Sequence, residues 1–217
     1  MQKLSRRDFL TAAGIVVGGA ALVSVPGCSG DKTPAETDSE IETPEFHYGD
    51  DQSMKKRILV TYATRTGSTV GVASAIGETL SARGFKVDVV PSKENPQIDG
   101  YDAVVMGSAV NGAQWLPEAV EFVRQNRKAL GRVPVALFTV HIMNLGDDAE
   151  SKRKRLAYLD DIRPLVKPVE EVYFAGQGLD PKKASWFERW SYRAFKMGPE
   201  GDCRDWNRIR GWAETIL

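Results

Sequence analysis

The run Arg57-Ile58-Leu59-Val60-Thr61-Tyr62 leads straight into Ala63-Thr64-Arg65-Thr66-Gly67-Ser68-Thr69, and a helical pattern from Val70 to Arg83 follows. The apolar run reads as a buried strand and the later stretch as an amphipathic helix. A strand-to-helix turn made of hydroxyls around one glycine suits a phosphate. Glycine lets the backbone approach, while free amides and the helix dipole supply positive potential. The bland alternative is an ordinary capped turn, for which Ser68 or Thr69 alone would suffice. Three threonines and a serine exceed that need.

Outward from this turn, apolar runs and helical patterns alternate. Strands are predicted at Phe85 to Val90, Tyr101 to Gly107, Val133 to Val140 and Val169 to Ala175. Helices are predicted at Leu116 to Leu130, Asp147 to Leu165, Lys182 to Lys196 and Asp205 to Ile216. Five strands separated by helices imply an α/β, doubly wound parallel sheet with helices on both faces. Ligands of such sheets sit at the carboxyl ends of the strands, beside the switch point. In a strand order of 2-1-3-4-5, the loops after strands one and three meet there.

The loop after strand three, Ser108-Ala109-Val110-Asn111-Gly112-Ala113-Gln114-Trp115, is small-residue-rich and closes on an aromatic. Asn111-Gly112 favours a turn able to present a carbonyl to a ring nitrogen. Trp115 would stack on a flat ring or pack at the helix start. The loop after strand four, His141-Ile142-Met143-Asn144-Leu145-Gly146, would form the other wall. His141 reads as a structural histidine rather than a proton donor.

Several classes are disfavoured. No Gly-x-Gly-x-x-Gly follows the first strand, and the Gly-Lys-[Ser/Thr] ending of a nucleoside-triphosphate loop is missing. With two histidines and two cysteines in 217 residues, no cluster with metal spacing is expected. The balance of 29 basic against 29 acidic residues argues against nucleic acid as the main partner. A monophosphate on a planar ring remains, and flavin mononucleotide (FMN) is the expected cofactor.

The N-terminal region carries compartment signals. Ser5-Arg6-Arg7-Asp8-Phe9-Leu10, followed by an apolar stretch from Thr11 to Val25, resembles a twin-arginine export signal. That stretch is shorter than the roughly 20 residues of a spanning helix. Val25-Pro26-Gly27-Cys28 resembles a lipobox with Cys28 as the acylated residue, although Pro26 departs from the usual small or branched residue. Residues 29–55 carry eight acids against few bases and read as an acidic disordered tether, leaving 56–217 as one domain. The expected location is the outer face of the cytoplasmic membrane, held by the lipid or by an uncleaved signal anchor.

The phosphate turn, the Gly107-Ser108-Ala109-Val110 loop and the alternating order resemble the flavodoxin-like family. More narrowly they resemble its quinone-linked protoporphyrinogen dehydrogenases and their relatives. The narrower likeness rests on Thr64-Arg65, on Trp186-Phe187-Glu188-Arg189-Trp190, and on Asp205-Trp206 ahead of Trp212-Ala213. It covers residues 56–217. The resemblance implies that Thr64, Arg65, Thr66, Gly67, Ser68 and Thr69 hold the phosphate. It implies that Ser108, Ala109, Val110, Asn111, Gly112 and Trp115 line the ring, with Thr139, Val140, His141 and Met143 opposite. It also implies an FMN-dependent oxidoreductase passing electrons between a reduced donor and a quinone or a redox partner protein. Val110-Asn111-Gly112 departs from the bulkier basic and aromatic loop of the porphyrinogen-oxidising members, which work on the cytoplasmic side. A non-enzymatic electron carrier is the alternative. The basic run Lys152-Arg153-Lys154-Arg155 runs against the acidic face usual for such carriers.

The stretch Lys182 to Met197 is basic and aromatic and has two readings. Phe187, Trp190, Ala194 and Met197 follow helical spacing and would pack on the sheet. Alternatively, the helix lies against a membrane surface.

Overall fold

The computed structural model describes residues 41–49, 56–195 and 197–217, all within one compact unit, Glu40–Leu217. The export signal, Cys28 and most of the expected tether lie outside the described residues.

Five parallel strands form the centre: β2 (Arg57–Ala63), β3 (Lys86–Pro91), β4 (Ala103–Asn111), β6 (Val135–His141) and β7 (Glu170–Ala175). They run in the order β3-β2-β4-β6-β7, which is 2-1-3-4-5 counted over the parallel strands alone. Two further strands extend the sheet to seven. β1 (Phe46–Tyr48) pairs antiparallel with β3 at the edge, and β5 (Gln114–Trp115) folds back on β4.

Alternation along each strand divides the apolar side chains between two cores. Ile58, Val60 and Tyr62 of β2, Val105 of β4 and Phe138 and Val140 of β6 face α1 (Ser68–Ala82) and α5 (Trp206–Ala213). Leu59, Val104, Met106 and Leu137 face α2 (Pro117–Leu130) and the turns around Leu159 and Ile162. Gly107 makes the first packing possible. A β-carbon there would fall 2.1 Å from the ring of Phe138, its register partner on β6.

The structure departs from expectation in three places. The boundary at Lys56 is too late, because Phe46 and Tyr48 pack on the first core and the intervening His47 Nδ1 meets Asp88 Oδ1 at 2.7 Å. Tyr62 donates to Pro44 O at 2.7 Å, and Tyr48 shares a hydrogen bond with Ser74. Three aromatic residues in an acidic stretch are enough to cover the exposed edge of β3. Asp88 also accepts from Arg57 and Tyr101. These hydrogen bonds hold its carboxyl below the usual carboxylate range, against the opposing effect of burial.

The long helix expected over Asp147 to Leu165 is the shorter α3 (Ala149–Ala157) followed by turns. Asp148 caps its start by accepting from Ser151 N, and Arg163 ends it by donating to Leu156 O. The chain then turns so that Leu159, Ile162 and Val166 enter the second core.

α4 (Trp186–Ala194) is the third difference, and it overturns the reading in which its aromatics pack on the sheet. None of its residues is buried. A capping box between Ser185 and Glu188 fixes its start. It is carried on a stem in which Gly178 N donates to Gly201 O and Gly201 N donates to Leu179 O, each at 2.8 Å. Gly178 lets the stem close, since a β-carbon there would overlap Pro199 O.

Candidate functional site

The sheet register brings the expected loops together. Ala63 pairs with Ser108, Ser108 with Thr139, and Val140 with Phe174, so β2, β4, β6 and β7 end at one edge. Gly176, just beyond β7, belongs to the same place. A β-carbon there would lie 3.0 Å from Val140 Cγ1 and 3.5 Å from Ser68 Oγ.

The phosphate turn is more open than a capped turn. The N-cap of α1 is Gly67, with φ of 83° and no side-chain cap; Ser68 and Thr69 are already helical. A substitution at Gly67 would meet no atom within 4 Å, so the left-handed backbone, rather than space, calls for glycine. Thr64 Oγ1 accepts from Gly67 N at 3.0 Å and sets the curvature of the turn. The amides of Ser68 and Thr69 lie in the first helical turn, where no intrahelical acceptor exists. Thr69 is fully buried, yet its Oγ1 finds no hydrogen-bond partner among the described residues. An orphaned buried hydroxyl costs about 1–3 kcal/mol unless something accepts or donates there. Thr66 and Arg65 are exposed at the rim.

Arg204, which motif reading missed, lies against the start of α1. Its Nη1 donates to Ser68 O at 3.2 Å, its guanidinium lies 4.5 Å from the centre of the Trp206 ring, and Asp202 takes both other edges at 2.8 and 2.7 Å. The arginine is thus held, mostly buried, against the first turn of α1. The sequence signal was adjacent, in Asp205-Trp206, but nothing in the spacing joins residue 204 to residue 68.

The ring-side loops are rearranged relative to expectation. Of the two readings of Trp115, the structure shows packing at the start of α2. It is buried in the second core, and its Nε1 donates to Thr139 Oγ1 at 3.0 Å. Thr139 is thereby occupied as well, and Val140 is buried in the first core. Ser108 Oγ accepts from Leu116 N at 3.0 Å and donates to Ala109 O at 2.7 Å, so its hydroxyl pins the hairpin. These side chains are engaged with the scaffold of the site. Ala109, Val110, Asn111 and Gly112 remain at the accessible edge, and Gly112 and Ala113 make the turn with φ of 58° and 63°. Two successive left-handed residues form the tight hairpin that matches strand twist.

The opposite wall is stapled from behind. His141 Nδ1 lies 2.6 Å from Met143 O, and a carbonyl only accepts, so the ring proton sits on Nδ1. Burial lowers the His141 pKa, with Arg155 and Arg208 adding to the effect against the Met143 hydrogen bond. The ring is neutral at neutral pH and plays a structural part. Asn144 donates to Tyr158 Oη at 2.7 Å, and Arg155 donates to the carbonyls of Asn144 and Gly146. Met143 and Leu145 are left exposed at the lip.

A doubly wound sheet with an uncapped, hydroxyl-rich helix start at its switch point defines a binder of a phosphorylated ring compound. The flavodoxin domain model matches residues 59–202, more than half of the chain, and the protein belongs to that family. Its cofactor is FMN. The residues present fit that group, because the unpartnered Thr69 hydroxyl and the free first-turn amides supply donors where a phosphate monoester needs them.

Among relatives, protoporphyrinogen IX dehydrogenase (quinone) of Escherichia coli strain K12 is 26% identical over 176 residues, covering 74% of this chain and 94% of that protein. The protein of the same name from Escherichia coli O157:H7 matches equally. Among solved structures, a short-chain flavodoxin associated with a non-canonical PDU bacterial microcompartment is 15% identical, with a TM-score of 0.47 over 74% of this chain and 95% of that one. The two-electron reduced Megasphaera elsdenii flavodoxin is 20% identical, with a TM-score of 0.41 over 54% and 84%. The protein is a flavodoxin-like redox protein.

Proposed function

We propose that this protein is an FMN-dependent oxidoreductase held outside the cytoplasmic membrane, passing electrons from a reduced donor to a quinone. The observation that carries the FMN-dependent part is the uncapped start of α1, with its orphaned Thr69 hydroxyl and left-handed Gly67. Support for the quinone comes from the Escherichia coli relative, whose name specifies that acceptor and whose length the chain nearly spans. That relative also makes a porphyrinogen the first donor to try.

The chain's residues bind and orient; the bound FMN supplies the electron-transfer chemistry. Thr64, Thr66, Ser68 and Thr69, with the amides around Gly67, hold the phosphate. Arg204 adds positive charge behind the turn. The Ala109–Ala113 hairpin and the Met143–Leu145 lip border the ring, each fixed from behind by the Ser108, Trp115 and Arg155 contacts. His141 gives its proton to the backbone, so no acid or base at that position is invoked.

The test is anaerobic. Full-chain protein loaded with FMN is reduced with dithionite and mixed with a menaquinone analogue. Rapid return of the oxidised spectrum is expected, with one quinone reduced for each flavin reoxidised. Failure of quinones to reoxidise the protein, with fast reoxidation by a protein acceptor, would favour the electron-carrier reading. Export and anchoring are tested in cells. Cys28→Ala should abolish labelling by radioactive fatty acid.

A further inference from the structure

The most unusual surface of the described chain is α4. Trp186 is 80% exposed, Phe187 and Trp190 57% each, and Phe195, just beyond the helix, 73%. The rings are organised among themselves: Phe187 stacks on Trp190 with centroids 6.0 Å apart, and Trp186 meets Phe187 edge-on at 5.9 Å. On one side Trp186, Arg189, Trp190, Arg193 and Ala194 line an open groove of about 450 Å³.

The charges around this face are mainly cationic. Glu188 is occupied by the capping box with Ser185, and Glu200 is paired with Arg193. Lys182, Lys183 and Arg189 have no acidic partner among the described residues within ion-pair distance. Tryptophan and phenylalanine beside lysine and arginine form the pattern of a helix lying in a membrane interface, with apolar rings among acyl chains and cations at headgroups.

The face adjoins the cofactor site. A β-carbon at Gly198, at the foot of α4, would lie 3.1 Å from Ile142 Cδ1 and 2.9 Å from Tyr192 Oη. The stem thus abuts the loop whose Met143 and Leu145 are exposed at the site's lip. The chain outside the described domain supplies a second argument. If Cys28 carries lipid, the seventeen residues 29–45 reach at most about 60 Å when fully extended. The domain then stays close to a bilayer.

We infer that α4 docks the domain onto an anionic lipid surface, with Trp186, Phe187 and Trp190 at the acyl boundary and Lys182, Lys183 and Arg189 at the headgroups. This rests on the membrane-held reading above and deepens it. Docking turns the lip of the site toward the phase in which a lipid-soluble quinone is dissolved.

The experiment uses full-chain protein with vesicles of phosphatidylglycerol and phosphatidylcholine carrying brominated acyl chains. Co-sedimentation and tryptophan emission are recorded together. The expected result is co-sedimentation with a blue-shifted, strongly quenched emission. In Trp186→Phe/Trp190→Phe the remaining emission, from Trp115, Trp206 and Trp212, should be insensitive to bromine. Neutralising Lys182, Lys183 and Arg189 with glutamine should weaken the docking equilibrium about fivefold per cation and so reduce quenching. Unchanged flavin content would show that this triple variant is folded. Co-sedimentation with unquenched emission would overturn the docking while leaving N-terminal anchoring intact. No co-sedimentation would overturn both. Emission shielded without vesicles, in a particle of twice the mass, would instead assign the face to a second copy.

Discussion

α1 and α4 are both helices with an apolar face, and they meet opposite fates. α1 buries Val72, Ile76 and Leu80 against the sheet, and α5 closes over it. α4 has the sharper separation of aromatic and charged residues, yet has no buried residue. Periodicity therefore establishes that a helix has two faces. It does not establish what the apolar face meets. In α1 the answer is the protein's own core, whereas α4 stands on a stem that carries it away from the core.

The difference is measurable. Leu80→Ala should cost about 2–5 kcal/mol, the usual loss for a buried leucine that leaves a cavity. Trp190→Ser, which removes a larger side chain, should change stability by no more than about 0.5 kcal/mol, as expected at an exposed position. Urea denaturation of both variants checks the contrast. A large loss in Trp190→Ser would place α4 against the domain and remove the basis for lipid docking.

A second contrast separates the two ends of α1. Its body is built for stability, while its start leaves a buried polar atom unpartnered. Thr69→Val keeps the shape and removes that atom. Folding stability without cofactor should be unchanged or rise, while FMN retention should fall roughly ten- to hundredfold, the value of a hydrogen bond to a charged group. Equilibrium dialysis and thermal unfolding read the two quantities separately. Stability and retention falling together would make Thr69 an ordinary structural residue.

The smallest effect concerns the wall opposite the phosphate turn. Burial lowers the folded-state His141 pKa beneath its ordinary value of about 6.5, so the unfolded chain binds the proton first. The histidine's contribution is fully present above about pH 6.5 and is lost as the pH falls below it. His141→Gln keeps a donor for Met143 O and cannot titrate. Its stability should decline less than that of the wild type between pH 7 and pH 5, and a parallel decline would contradict the assignment.

Much of this architecture could be read in advance, and the failures have physical causes. The central parallel strands announce themselves because their alternate residues feed two cores, leaving their runs almost wholly apolar. The phosphate turn stands out because hydroxyls crowd a single glycine. Phe46-His47-Tyr48 is harder to read, because three residues give too little periodicity and their partner β3 lies forty residues on. Trp115 and Thr139 satisfy each other across two strands, and nothing local distinguishes a tryptophan with that partner from one awaiting a ring. Arg204 reaches Ser68 only through the closing of the stem. α3 stops early because Arg163 takes Leu156 O, a tertiary event within a continuous helical pattern. Except in α3, where the contact spans seven residues, the missing information was a partner distant in sequence.

The account depends most on the turn from Thr64 to Thr69 gripping a phosphate, and one comparison of two ligands tests it. Full-chain apoprotein is titrated by calorimetry with FMN and, separately, with riboflavin, which carries the same ring without the phosphate. Several charge-assisted hydrogen bonds from this turn predict FMN binding at least about a hundredfold tighter. Equal affinity for the two ligands, or no heat with FMN, would contradict the account.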